Sequence, residues 1–310
     1  MNNKNILTQL KPIQVIGKGS QGLILQTCDD DYTIKIYNKS YLKALEFLKI
    51  LDYLQTCNQL PKTIYTSYLF TKSKNSYNRY LTKNKLPDYF SYKNNNDLEL
   101  LSTQYKMNNK LFEIMKTYHQ TFNTYTDIIN NNILKKNILL SLFQQGLFTI
   151  IWLFMNKGII HNDINSNNFF IEPTQENYVI FEINLVQYKI KLYGYYLVMA
   201  DFGYAKSMEF HFSKKNETKT NAFLLFEYNP FFDIEKFIHL FKKYNIDIDI
   251  DIDIDIDIFN SKLMNKCQNK LKEVIKMYKK EDPSFLFILH QYKECYFELL
   301  QIQVLSNLNL

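Results

Sequence analysis

Residues 158–171, GIIHNDINSNNFFI, place a short polar run between two apolar stretches. A buried strand does not favour so many asparagines and an aspartate, so His161, Asp163 and Asn168 need another explanation. A catalytic base requires a carboxylate fixed in a tight loop, and an amide five residues later can turn back to bind a metal beside it. The alternative is an ordinary polar turn with an asparagine cap. This stretch alone leaves both interpretations open.

The stretch VMADFGYAK, 198–206, favours the catalytic interpretation of residues 161–168 over the ordinary polar turn. Asp201 ends an apolar strand and is followed by Phe202 and Gly203. Its carboxylate can bind Mg²⁺ while the phenylalanine packs inward. Metal ligands at Asn168 and Asp201 would then lie close to the candidate base Asp163.

A glycine-rich turn, GKGSQG, lies near the start of the chain. The pattern is weak by itself, because it also opens dinucleotide-binding folds, where it leads into a helix. Here LILQT follows, which is typical of a strand. A strand, a glycine loop and a second strand form a flap whose backbone amides cover nucleotide phosphates. The candidate nucleotide-binding residues are Gly17, Lys18, Gly19, Ser20, Gln21, Gly22 and, against the adenine, Ile24.

Lys35 lies inside an apolar strand, YTIKIY, where an unpaired ammonium is costly to bury. By itself it could reach water from an edge strand. Its place on the strand after the glycine loop favours a role at the phosphates, with an acid of the next helix as its partner. Glu46 and Asp52 are both available. We favour Glu46 because Ile50 lies one turn later on the same face and can pack into a core.

Composition narrows the classes of protein. The 310 residues suffice for one large domain or two lobes, and the net charge of +6 does not by itself indicate nucleic-acid binding, so we expect none. The four scattered cysteines form no CxxC pair, which argues against zinc and fits a reducing compartment. We expect no signal peptide. The apolar run 138–155 is interrupted by Gln144, Gln145 and Gly146, so we expect a buried core helix and no membrane span.

The pattern of apolar residues predicts the remaining organisation. Strands are expected over 12–27, 32–38 and 62–70, a helix over 40–57, a return to the sheet within 98–116, and a long helix over 125–157 that ends at Gly158. Further strands are expected at 169–172, 178–183, 187–193 and 196–200, with helical segments after about 230. Residues 71–97 are interpreted as an exposed polar insertion. The Asp/Ile tract 245–259 is interpreted as a repeat expansion in a surface loop rather than a cation-binding strand.

With these motifs in order, the chain resembles the eukaryotic-type protein kinase superfamily, in a divergent Ser/Thr form typical of large DNA viruses. The resemblance rests on GKGSQG, TIKIY, GIIHNDINSNN and ADFG, and it extends from Lys11 onward. It implies an α+β, bilobal fold: a β-rich N-lobe over 1–108 and a larger helical C-lobe over 109–310, with an extra hairpin at 178–193.

The resemblance also implies a role for each matching residue. Lys35 would orient the α and β phosphates of ATP and pair with Glu46, and Phe170 would lie under the adenine. Asp163 would align the acceptor hydroxyl, and Asn168 and Asp201 would hold Mg²⁺. Asp233, in FFDIEKF, looks like the buried helix aspartate that anchors the backbone of the catalytic loop.

Several positions depart from the family's pattern. Asn162 replaces an arginine beside Asp163, so control by phosphorylation of an activation loop is not expected. Asn165 replaces a lysine that contacts the γ-phosphate, which should weaken transition-state stabilisation. No Ala-Pro-Glu triplet follows Asp201, and the only arginine is Arg79. The peptide-docking surface must therefore be built differently.

Three hypotheses follow. The first is a protein kinase that transfers phosphate from ATP, with Mg²⁺, to protein substrates in the cytoplasm, or in host cytoplasm or virion if the chain is viral. The second is a small-molecule kinase of the choline or aminoglycoside type. The third is an inert pseudokinase scaffold, which Asn165 favours and the intact Asp163 and Asp201 disfavour. The sequence leaves the physiological substrate and the oligomeric state open.

Overall fold

Helices and strands both occur along the chain, which we describe from a computed structural model. The described residues are 12–18, 22–37, 50, 53–54, 57, 60–65, 68–70, 112–118, 121–124, 135–207, 231–243, 269, 290 and 293–294. The chain divides into two compact units, one within Met1–Asn58 and Thr66–His119 and the other within Gln59–Tyr65 and Gln120–Leu310.

The first unit contains an antiparallel sheet of five strands. These are β1 (Pro12–Lys18), β2 (Gly22–Thr27), β3 (Tyr32–Tyr37), β4 (Tyr68–Phe70) and β5 (Phe112–Lys116), in the order β1-β2-β3-β5-β4. Leu23, Leu25 and Ile34 are buried on it. The predicted strands on both sides of the glycine turn are confirmed, as is the return to the sheet within 98–116. Of the helix predicted over 40–57, only Ile50, Tyr53 and Leu54 are described as helical, and the insertion 71–97 lies outside the described residues.

The second unit is built on one long helix, α1 (Lys135–Lys157). The part from Asn137 is long and apolar enough to cross a membrane, with a mean hydropathy of 1.8, but 89% of its apolar window is buried inside the protein. Residues 125–134 of the predicted helix lie outside the described part. The helix ends as predicted at Gly158, which has φ 59° and donates its N–H to the Phe154 carbonyl at 2.8 Å.

The polar residues that interrupt this helix bind the strand beside it. Gln145 is fully buried, accepts the Leu197 N–H at 2.9 Å and donates to the Tyr195 carbonyl at 3.1 Å. Thr149, one turn later, donates to the Thr63 hydroxyl at 2.6 Å. Gln145 and Thr149 therefore both have partners, which offsets the cost of removing their polar groups from water.

Short strands follow the helix. They are β6 (Ile159–Ile160), β7 (Phe169–Pro173), β8 (Tyr178–Ile183), β9 (Val186–Lys191), β10 (Tyr195–Met199) and β11 (Lys206–Ser207). They form antiparallel pairs: β7 with β10, β6 with β11, and β8 with β9. The strands predicted at 178–183 and 187–193 thus form a hairpin, in which the second strand is Val186–Lys191. Phe181 and Tyr188 on its inner face pack on Phe148 of α1, with ring centroids 5.6 and 5.2 Å away.

The helix α2 (Phe231–Lys243) packs against α1. Its Phe237 is fully buried, and its ring lies over Gly146. A Cβ at Gly146 would lie 2.1 Å from Cζ of Phe237. The two helices approach this closely because position 146 has no side chain. The Asp/Ile tract 245–259 lies outside the described residues.

We expect Gly146→Ala to destabilise the protein, although alanine is the better helix former by about 1 kcal/mol. The clash with the Phe237 ring should cost more than that gain, since overpacking a core costs about 1–3 kcal/mol. Thermal unfolding would measure the loss. Replacing the ring with leucine (Phe237→Leu) in the Gly146→Ala background should recover part of it, whereas Gln144→Ala, on the same helix, serves as the control. A Gly146→Ala protein as stable as the wild type would contradict this account of the packing.

Candidate active site

A buried carboxylate on α2 holds the polar loop that follows β6. Asp233 is 2% exposed, and its two oxygens accept the backbone N–H groups of His161 at 2.6 Å and Asn162 at 2.9 Å. Burial raises the pKa of Asp233, while His161 and the two N–H donors act in the opposite direction. The helix thereby fixes the backbone of the loop immediately before Asp163.

His161 connects this loop to the end of β10. Its ring is buried, lies 4.9 Å from the ring of Phe202, and places Nε2 2.8 Å from the Ala200 carbonyl. Since a carbonyl can only accept, Nε2 carries the hydrogen. Nδ1 is then the acceptor for the Asp163 N–H at 3.3 Å. His161 thus orients the backbone of Asp163, and Phe202 packs inward as the sequence predicts.

Two amides hold the carboxylate of Asp163. Asn165 Nδ2 donates to Oδ1 at 3.1 Å, and Asn168 Nδ2 donates to Oδ2 at 2.9 Å. Both amides also reach the Asp163 carbonyl, at 3.2 and 2.8 Å. Each carboxylate oxygen retains a further lone pair that could accept a substrate hydroxyl. The side chain is therefore fixed in one orientation without losing its capacity to act as a base.

Asn165 has a second function in this loop. Its Oδ1 accepts the Asn167 N–H at 3.0 Å and so caps the single helical turn Ser166–Asn168. That contact also fixes the amide orientation, because the oxygen must face the N–H and the nitrogen must face Asp163. One side chain thus stabilises both the turn that carries Asn168 and the carboxylate of Asp163.

The candidate metal ligands are brought together by backbone contacts. The N–H of Ala200, the residue before Asp201, donates to the backbone carbonyl of Asn168 at 2.8 Å. Next to this contact, Met199 pairs with Phe169 where β10 runs beside β7. Asp201 has φ 58°, an uncommon left-handed conformation for a residue with a side chain. An amide oxygen and a carboxylate are hard ligands that suit Mg²⁺. Among the residues that the structure describes, no three His, Cys, Asp or Glu side chains form a group that could hold a metal ion.

The predicted nucleotide residues of the first unit are described only in part. Lys35 is buried on β3, where the register places it opposite Ile24 of β2 and Glu113 of β5. Its expected partner Glu46 and the turn residues Gly19, Ser20 and Gln21 lie outside the described residues. Gly17, Lys18 and Gly22 flank the turn in β1 and β2, and Phe170 of β7, in the second unit, is half-buried.

Sequence reasoning missed the contribution of Gln59–Tyr65 to the second unit. The strand expected over 62–70 is described only at β4, and Ile64 instead forms a single bridge with Met199. Thr63 accepts the Met199 N–H and Met199 accepts the Tyr65 N–H, both at 2.8 Å. Lys62 pairs with Glu176, which also accepts the Tyr196 hydroxyl at 2.6 Å. No local pattern signals these contacts, because their partners lie more than a hundred residues away.

No protein-family model matches this sequence, and no curated protein is significantly similar to it.

We expect Asp233→Asn to destabilise the loop by about 1–3 kcal/mol, because the amide nitrogen would face a backbone N–H that it cannot bind. Thermal unfolding measures the loss. The matched control is Glu235→Gln, which makes the same chemical change on the more exposed side of α2 and should leave stability within about 0.5 kcal/mol. Equal stability of the Asp233→Asn and wild-type proteins would show that the two N–H contacts contribute nothing.

Proposed function

We propose that this chain is an ATP- and Mg²⁺-dependent phosphotransferase, a divergent protein kinase of the serine/threonine type with the bilobal fold of that superfamily. One observation carries the proposal. Asp233 and Ala200 are remote from Asp163 in sequence, yet both contact the loop that carries it: Asp233 binds the His161 N–H, and Ala200 binds the His161 ring and the Asn168 backbone carbonyl. Asn168 in turn holds the Asp163 carboxylate, the group that a phosphotransferase would use as its base.

In this proposal Asp163 is the base that aligns the acceptor. A serine or threonine hydroxyl would donate to the lone pair of a carboxylate oxygen that Asn165 and Asn168 leave open, and Asp163 would take its proton as the phosphoryl group transfers. Mg²⁺ held by Asn168 and Asp201 would neutralise phosphate charge. His161 and Asp233 act only through the loop: they position Asp163 and touch no reacting atom.

Two parts of the proposal rest on the sequence alone. Lys35, with Glu46 as its partner, would bind the α and β phosphates, and the turn Gly17–Gly22 would cover them. The resemblance also makes Ile24 and Phe170 the candidate contacts of the adenine.

A pseudokinase scaffold is the second candidate, and Asn165 is the observation that favours it. A neutral amide at this position supplies no positive charge to a transferring phosphoryl group. The same amide nevertheless holds the carboxylate of Asp163 in one orientation, which is what a base requires. The same chemistry could act on a small alcohol, so the acceptor has to be identified by experiment.

Transfer of labelled phosphate from ATP with Mg²⁺ tests the proposal. We expect the wild type to label protein acceptors and Asp163→Ala to lose at least about 10²-fold in rate, the lower range for removing a general base. Asn167→Ala is the control, since its side chain is exposed and only its backbone N–H is used. Label confined to small alcohols and amines would indicate the small-molecule kinase. Nucleotide binding without transfer in the wild type would support the scaffold.

Substitutions at Asn165 separate its two contacts. Asp and Ser can both still cap the turn, but Asp cannot donate to Asp163 and adds a repelling charge beside it. We expect Asn165→Asp to lower the rate of transfer more than Asn165→Ser, with unfolding temperatures similar to each other. Loss of rate in proportion to loss of stability would mean that Asn165 acts only as a cap.

A further inference from the structure

The hairpin β8–β9 concentrates the exposed apolar surface of the described residues. Seven large apolar side chains are exposed among the described residues. Four of the seven belong to this one hairpin: Tyr178, Ile180, Leu185 and Val186. Single exposed apolar residues are common on protein surfaces, whereas a cluster of them marks an interaction site. The proposed phosphotransfer chemistry uses none of these residues.

The two faces of the hairpin differ. The inner face is buried against the rest of the second unit and comprises Val179, Phe181, Ile183, Tyr188 and Ile190. On the outer face the register places Tyr178 opposite Lys191, Ile180 opposite Lys189, and Glu182 opposite Gln187. Lys189 Nζ lies 4.2 Å from the centre of the Tyr178 ring. The outer face is therefore apolar and basic at its base, while its one acid, Glu182, lies near the tip.

The turn at the tip of the hairpin contains a residue, Leu185, in a backbone conformation that a glycine would adopt more easily. Asn184 and Leu185 have φ 51° and 67°, which makes a two-residue turn of type I′. Glycine is strongly preferred at the second position because the left-handed region is unfavourable for a side chain. Leu185 occupies it while 92% exposed, so packing within the chain does not compensate. A strained, exposed leucine at this place indicates a contact outside the chain.

We propose that this outer face is a docking surface for an acidic protein segment that also carries aliphatic side chains. Carboxylates of the segment would pair with Lys189 and Lys191, and its aliphatic side chains would cover Ile180 on the face and Leu185 at the tip. The face is six residues long, about 20 Å at 3.3 Å per residue, which suits a short extended segment.

The arrangement favours a protein segment over a membrane surface. A hairpin that inserts its apolar tip into a bilayer needs its basic residues beside that tip, at the level of the headgroups. Lys189 and Lys191 follow Leu185 by four and six residues, which places them about 13–20 Å from the tip along the strand. Glu182, near the tip, would face an anionic surface unfavourably. The proposal does not depend on phosphotransfer and would hold equally for an inert scaffold.

Two variants separate binding from folding. Lys189→Glu combined with Lys191→Glu reverses the charge of the face while its buried side stays unchanged. Leu185→Gly removes the apolar tip and supplies the residue that the turn prefers, so its unfolding temperature should equal or exceed that of the wild type. Any loss of binding in this variant then cannot be attributed to a loss of folding.

The experiment measures binding of the full chain to a short fluorescent peptide in which leucines precede a run of glutamates. Its counterpart with lysines and vesicles containing phosphatidylserine are the other probes. We expect the wild type to bind only the glutamate peptide, the charge-reversed variant to bind it at least about tenfold more weakly, and Leu185→Gly to bind several-fold more weakly. Absence of binding, equal binding by the variants, or binding to vesicles rather than the peptide would overturn the proposal.

Discussion

The candidate site depends on one carboxylate that accepts two consecutive backbone N–H groups. Asp233 is anchored in a helix and buried, so its position is set by the core, and the N–H groups of His161 and Asn162 must point toward it. Leaving them unpaired in the interior would cost the full desolvation of two donors. Further hydrogen bonds link His161 to Asp163: the His161 ring binds the Ala200 carbonyl, and the Ala200 N–H binds the backbone carbonyl of Asn168. The side-chain amide of Asn168 then holds the Asp163 carboxylate. Each of these contacts involves a backbone group or a side chain whose orientation its other hydrogen bonds fix.

Local sequence signals predicted the elements that local forces determine. Gly158 ends α1 because a left-handed residue is needed there, and the hairpin at 178–193 follows from two alternating runs around a short turn. What the sequence did not predict depends on partners far along the chain. Gln145 appears only as an interruption of an apolar helix until β10 presents the backbone of Tyr195 and Leu197. Gly146 also appears only as an interruption of that helix, because the ring of Phe237, which leaves no room for a side chain there, lies on another helix.

The site residues illustrate the same division. Asp163, Asn168 and Asp201 could be chosen from their chemistry and their place at strand ends, and Asp233 only from a resemblance that spans the whole motif set. The left-handed backbone at Asn162 and Asp201 could not be chosen, since conformations of this kind are imposed by the surroundings. At Asn162 the surroundings are visible: Asp233 binds its N–H, and its amide lies 3.5 Å from the Tyr204 carbonyl. Asparagine tolerates this region better than most residues do, which makes it a suitable residue at that point of the loop.

A chain with one arginine has few guanidinium groups with which to hold the carboxylate of a candidate base, and the loop around Asp163 uses amides instead. Asparagine amides occupy both oxygens of Asp163, where charged donors would make stronger contacts. Each contact is assisted by the charge of the carboxylate, but the amide adds no charge of its own. Amides compensate by having a donor and an acceptor on one rigid group, so Asn165 can cap a turn and orient a carboxylate at the same time. The orientation of Asp163 thus depends on several neutral amide contacts whose directions are mutually consistent. The buried side chains of Asp233 and His161 keep the backbone of the loop in the position that these contacts require.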